Sequence, residues 1–310
     1  MDTTVLPTLE VEPWRQYAVR VRRVSRMSPS FVRVTLTGPD LDRFADNGFD
    51  QRIKLVFPAP DGGLDHLPSG PDWYSRWRKL PERRRHPIRT YTVRAVRPEV
   101  RELDVDMVRH GDAGPASRWV GAARPGDRLV VIGPNADHPG PHGGIEFRPP
   151  PDADALLLAG DETAVPAICV ILTRLDPGTR GEALLEVPLP GDVLGTAAPP
   201  GVRVTWLPRC GAGHGQRLVP AVRAAVARLL REPAPVGVPC PVPDVDVDRE
   251  LLWEVPEPAG APGTGGLYAW LAGEAGVIRT LRRHLVTDHG IDRRRVAFMG
   301  YWRLGRPEFT

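Results

Sequence analysis

The chain has 310 residues, 41% of them hydrophobic and 25% charged, which is enough apolar side chain for a sizeable core and excludes a disordered polymer. The formal net charge is only +3, but Arg76, Arg78, Lys79, Arg83, Arg84 and Arg85 crowd one stretch, which points to a local anionic partner and excludes a general nucleic-acid binder. Cys169, Cys210 and Cys240 lie far apart and form no C-x-x-C, so neither an iron–sulfur cluster nor a disulfide framework is expected. The start of the chain shows no basic n-region or apolar h-region, and no apolar run approaches the roughly 18 residues that span a bilayer. A cytoplasmic protein without a membrane span is expected.

Six short β-rich runs follow with mostly period-two patterning: Tyr17 to Val24, Phe31 to Thr37, Arg52 to Phe57, Ile88 to Val96, Leu103 to Val108 and Arg128 to Ile132. They predict a small antiparallel barrel. One helix interrupts them, where Gly114-Pro115-Ala116-Ser117-Arg118-Trp119-Val120 sets a proline at a helix start after a glycine turn.

Near Pro149-Pro150-Pro151 the texture changes. Ala155 to Ala159 reads as a buried strand and Thr163 to Leu175 as a helix. Strands at Ala183 to Val187, Val202 to Leu207, Tyr268 to Leu271 and Val296 to Met299 then alternate with helices at Arg217 to Arg231 and Glu274 to His289. This alternation predicts a parallel sheet built by crossovers. Two domains are expected, 1–150 and 151–310, with a Pro/Gly-rich insertion at about 232–266 that carries no assigned chemistry.

Arg89-Thr90-Tyr91-Thr92-Val93-Arg94 places Arg89, Tyr91 and Val93 on one strand face and Thr90, Thr92 and Arg94 on the other. An arginine for a phosphate, a ring for a flat heterocycle and a hydroxyl for its polar edge suit a flavin nucleotide. A half-buried strand with surface arginines is the plain alternative. The segment His110 to Trp119 adds a turn and helix start whose N–H groups can meet a pyrophosphate. The same segment can simply cap a helix between two barrel strands.

In the second half, Gly160-Asp161-Glu162-Thr163 and Gly273-Glu274-Ala275-Gly276 each join a strand to a helix, where open α/β sheets bind nucleotides. Neither is a G-x-G-x-x-G fingerprint, and the paired acids predict a loose, transient nicotinamide site. Small residues there leave room for a ligand or the other domain to approach the backbone. Arg209, at a strand end, is placed to meet a ribose 2′-phosphate or to be a surface arginine. Gly211 to Gly215 lacks the lysine and spacing of a phosphate loop and reads as a turn. Asp137, His138 and His142 read as loop residues, with no metal site assigned.

With these segments in place, and with Asp50 to Pro58, Tyr268 to Arg279 and Gly300-Tyr301-Trp302-Arg303 beside them, the chain resembles the siderophore-interacting proteins, or ferric-siderophore reductases, of the ferredoxin-reductase-like superfamily. The resemblance implies FAD held by Arg89, Tyr91 and Thr92 and by the Gly114 to Ser117 turn, with Thr90, His110 and Trp119 on the same segments. It implies NADPH or NADH docking at Gly160 to Thr163 and Gly273 to Gly276. The implied substrate is a ferric siderophore, reduced so that Fe(II) is released; a ferredoxin is the alternative electron donor. Lys54 and Arg303 are the candidates for attracting the anionic chelate. A monomer that binds no nucleic acid is expected. A general flavin reductase, or a ferric-siderophore carrier with a vestigial flavin site, are the competing readings.

Overall fold

Alternating side chains along the first six strands fold inward and close on themselves. In the computed structural model, which describes residues 11–109, 114–230, 253–256 and 265–305, strands β1 (Trp14–Arg26), β2 (Phe31–Thr37), β3 (Arg52–Val56), β4 (Ile88–Arg97), β5 (Glu102–Val108) and β6 (Arg128–Pro134) form a closed antiparallel barrel in the order β1-β2-β5-β4-β3-β6. Tyr17, Leu36, Ile53, Leu55, Leu103, Val105, Leu129 and Val131 are buried in it. Each such side chain contributes about 1.5–3 kcal/mol by leaving water. Closure also removes the exposed edges that an open sheet would carry.

Two helices decorate the barrel. The β3–β4 connection holds α1 (Trp73–Arg78), which sequence patterning did not mark as a helix. Trp77 anchors it, buried, with its indole N–H donated to the His86 carbonyl at 3.1 Å. Helix α2 (Pro115–Ala122) buries Ala116 and Val120 against the barrel core.

The second half is a six-stranded sheet in the order β10-β12-β11-β7-β8-β9, built from β7 (Ala155–Gly160), β8 (Gly181–Val187), β9 (Val202–Pro208), β10 (Trp253–Glu254), β11 (Leu267–Glu274) and β12 (Val296–Trp302). Helix α3 (Val165–Arg174) covers one face, while α4 (Leu218–Leu229) and α5 (Ala275–Arg282) cover the other. Strands buried on both faces must be apolar throughout, which is why β7 reads Ala-Leu-Leu-Leu-Ala-Gly. Five strands are parallel as expected. The edge strand β10 is antiparallel to β12, pairing Trp253 with Met299 and Glu254 with Phe298. It comes from the stretch read as a Pro/Gly-rich insertion at about 232–266; the rest of that stretch, apart from residues 255–256 and 265–266, lies outside the described residues. Among the described residues no helix is long and apolar enough to cross a membrane.

Buried polar contacts join the two halves. Asp192, after β8, accepts hydrogen bonds from the hydroxyls of Ser28 and Ser30 on the barrel. Asp50, just before β3, accepts from the Trp270 indole at 2.9 Å and from the backbone of Glu146 and Phe147 in the connecting segment.

Candidate functional site

The barrel contributes two neighbouring surfaces. On β4 the expected division of faces holds in the register: Tyr91 lies opposite Ile53 and Arg89 opposite Leu55, whereas Thr90 lies opposite Lys54 and Thr92 opposite Arg52. Tyr91 is half-buried against the barrel core, and Arg89 donates to the Ile88 carbonyl at 2.8 Å. Lys54 is exposed and donates to the Thr90 hydroxyl at 2.6 Å. A cleft of about 250 Å³ opens beside them, lined by Trp14, Arg52, Ile53, Lys54 and Gly144. Arg303 follows β12 and is half-buried; it does not line that cleft.

The second surface is the start of α2. Gly114, at the N-cap, is extended and has no side chain of its own to cap the helix, and Pro115 occupies the first turn. Among the described residues nothing lies within 4 Å of where a Cβ on Gly114 would stand. Ser117 is half-buried, and Trp119 packs on Phe57 at 5.3 Å. His110 lies outside the described residues. The donor set fits a flavin dinucleotide: a glycine–proline helix start for a pyrophosphate, with Arg89, Tyr91, Thr90 and Thr92 on β4.

The crest of the sheet is arranged differently. Asp161 is buried and accepts from the Thr163 backbone and hydroxyl with one oxygen, and from the Glu274 backbone and the Trp302 indole with the other. Burial, with Glu162 beside it, pushes its carboxyl up to about 6. A Cβ at Gly160 would sit 2.4 Å from Ala164 Cβ and 2.5 Å from the Ala272 carbonyl, and one at Gly273, where φ is +146°, 2.6 Å from Asp161 Oδ2. The room these glycines leave is taken by the protein's own groups. Glu274 caps α5 by accepting from Val277, and the Gly276 backbone runs past that same carboxylate.

Arg209 is buried rather than displayed. Its terminal nitrogens contact the Glu162 carboxylate at 2.5 and 2.7 Å, and Glu186 lies 3.6 Å away. Glu186 itself accepts from the N–H groups of Gly215, Arg217 and Leu218 at the start of α4. The crevice lined by Asp161, Glu186, His214, Gly273 and Glu274 is too narrow for a water molecule. At these helix starts carboxylates of the chain already accept from backbone amides: Glu186 from three at α4, Glu274 from Val277 at α5, and Asp161 from Thr163 before α3.

Elsewhere, His138 and His142 bond backbone carbonyls of Val11 and Asn135, while Asp137 pairs with Arg43. In the basic stretch Arg76 pairs with Asp72 and Arg83 with Asp61, and Arg78, Lys79 and Arg84 are exposed. Sequence reasoning missed Asp50, Glu186 and Trp253. A signal existed for Glu186: an acid inside an otherwise apolar strand must find buried partners.

Comparison with known proteins places these features in a family. A model described as the siderophore-interacting FAD-binding domain matches residues 20–138, and one described as siderophore-interacting protein matches 153–305. The ferric vibriobactin reductase ViuB of Vibrio cholerae is 31% identical, covering 92% of this chain and 89% of that protein. An Escherichia coli NADPH-dependent ferric-chelate reductase is 38% identical over 48% of this chain and 52% of its own length. A solved siderophore utilization protein from T. fusca superposes with a TM-score of 0.70 at 29% identity, covering 98% of each chain.

Proposed function

The chain belongs to the siderophore-interacting protein family, and we propose that it is an FAD-dependent reductase of ferric siderophores that releases Fe(II) in the cytoplasm. Residues 1–150 form the flavin half in this reading and 151–310 the half that meets the electron donor. When bound, the flavin supplies the chemistry, accepting two electrons from a reduced donor and passing them singly to iron. Arg89, Tyr91, Thr90 and Thr92, with the start of α2 at Gly114 to Ser117, hold it. Lys54 and Arg52 line the cleft beside Thr90 and attract an anionic iron chelate, which is the substrate and stays outside the protein's own ligand set. Such a step uses no general base and no nucleophile, so the residues' work is placement and charge.

The observation that supports this most is the adjacency of the basic cleft and the Thr90–Tyr91 strand, linked by the 2.6 Å bond from Lys54 to Thr90. Purified protein, anaerobic and reduced, is mixed with ferric catecholates, hydroxamates and citrate while Fe(II) is trapped by a colorimetric chelator. Yellow protein that bleaches and is reoxidised by a ferric siderophore supports the reading. Colourless protein that takes up no FAD supports a carrier, and equal rates with chelates and free ferric salts support a general flavin reductase.

A further inference from the structure

Each of the three helices that start at the crest of the sheet has a carboxylate of the chain itself at its first turn, accepting from backbone N–H groups there. At α4 the Glu186 carboxylate takes Gly215 at 2.9 Å and Arg217 and Leu218 at 3.0 Å. At α5 Glu274 takes Val277 at 2.9 Å. At α3 the Thr163 N–H donates to the Asp161 carboxylate, the Ala164 and Val165 N–H groups donate to the Asp161 backbone carbonyl, and Pro166 has none to offer. A diphosphate arriving at α4 would have to displace a carboxylate that is 0% exposed. Expelling that charge leaves it without partners, and the incoming ligand carries the same sign.

The local charge does not help. Asp161, Glu162 and Glu186 are all buried, and Arg209 lies among them with both terminal nitrogens already on Glu162. An arginine so engaged cannot also make a bidentate contact to a ribose phosphate without abandoning a buried partner.

We infer that the sheet half receives a reduced nicotinamide by its nicotinamide end alone: it does not grip the diphosphate, and Arg209 does not read a 2′-phosphate. This rests on the flavin-reductase reading. The donor is then chosen by the dihydronicotinamide and its ribose, and NADPH, NADH and reduced nicotinamide mononucleotide become near equivalents.

Two measurements test it. In the first, 2′,5′-ADP and ADP-ribose are titrated into the FAD-loaded protein by calorimetry. No saturable heat up to millimolar ligand is expected; a saturable isotherm in the micromolar range overturns the inference. In the second, anaerobic stopped-flow follows flavin bleaching by NADPH, NADH and reduced nicotinamide mononucleotide. Second-order rate constants within about 5-fold of one another are expected, whereas a charge-assisted phosphate contact is worth about 10- to 100-fold. A 100-fold preference for NADPH over the mononucleotide overturns the inference. So does bleaching by none of the three; if dithionite-reduced protein then still reduces a ferric siderophore, the proposed reaction stands without it.

Discussion

The guanidinium of Arg52, on the barrel, lies 4.5 Å from the ring centroid of Trp253, on the edge strand of the sheet. The same guanidinium is ion-paired to Glu146, and the indole stacks on Tyr301 with centroids 5.8 Å apart. Strand β10 is fixed in turn by Glu254, which pairs with the buried Arg282 at 2.7 Å. Arg52 therefore faces the cleft from a rigid mount that spans both halves. Replacing Trp253 by alanine removes a contact worth about 0.5–2 kcal/mol and frees the guanidinium to swing. The apparent KM for a ferric triscatecholate should rise about 3- to 10-fold, in line with that energy, while FAD content is unchanged and Trp253→Phe recovers most of the loss. Unchanged KM in the alanine variant would show that the mount does not shape the cleft.

Lys54 acts at longer range. Its ammonium is exposed and tethered only by short contacts such as that to Thr90, so its value to an anionic chelate is electrostatic and open to screening. Lys54→Met should raise KM for an anionic ferric siderophore about 3- to 10-fold at low ionic strength, with the gap closing near 0.5 M salt, where the screening length is about 4 Å. Arg303→Met, outside the cleft, should do less. A loss in Lys54→Met that ignores salt would argue for a structural defect instead.

Asp161 sets a pH dependence whose sign is opposite to that of most carboxylates. Its folded pKa is about 6, above its ordinary 3.8, so the folded protein holds the proton more tightly than the unfolded chain. Stability from this group is full below about pH 4, falls as pH rises towards 6, and stays low above it. The difference corresponds to about 3 kcal/mol. His86 and His284, both held below their usual range by burial, act in the other direction in the same window. The readout is thus a difference: between pH 4.5 and 6.5 the Tm of the wild type should fall relative to that of Asp161→Asn. Parallel Tm curves for the two proteins would remove Asp161 as the cause.

Much of this molecule could be read in advance from periodicity. The barrel strands alternate because one face meets the core, and β7 is apolar throughout because both faces do; such patterns survive in any sequence obeying the fold. The six-residue helix α1 was not legible, since Trp73-Tyr74-Ser75-Arg76-Trp77-Arg78 has no helical stripe longer than two turns and is held by the burial of Trp77. Meaning at Gly160 and Gly273 was half legible. Small residues at a strand end do signal close approach, but sequence cannot say what approaches, and in the structure the Ala272 carbonyl and the Asp161 carboxylate stand where their Cβ atoms would be. Arg209 had the same ambiguity, because its partners Glu162 and Glu186 reach it only through the crossovers of the sheet. The Arg52–Trp253 contact joins residues some two hundred positions apart and leaves no local trace.

Asp192 links the halves through hydroxyl and backbone donors. Fully buried, it accepts from Ser28 Oγ at 2.7 Å, from the backbone and hydroxyl of Ser30 at 2.8 Å each, and from the Leu189 backbone at 3.0 Å. Asp192→Ala deletes the acceptor and leaves two backbone N–H groups and two hydroxyls without it at a buried site, for a cost of about 2–6 kcal/mol at roughly 1–3 per orphaned backbone donor. Asp192→Asn keeps the shape and one acceptor oxygen, and its hydroxyl partners can rotate to accept from the new amide, so about 1–2 kcal/mol is expected. Because the contacts run from the sheet half to the barrel, the alanine variant should also uncouple them: urea unfolding followed by far-UV circular dichroism and by tryptophan fluorescence should give midpoints that separate, where the wild type gives one. Coincident midpoints at the wild-type urea concentration would mean that the halves are joined by other contacts, with Asp50–Trp270 the next to test.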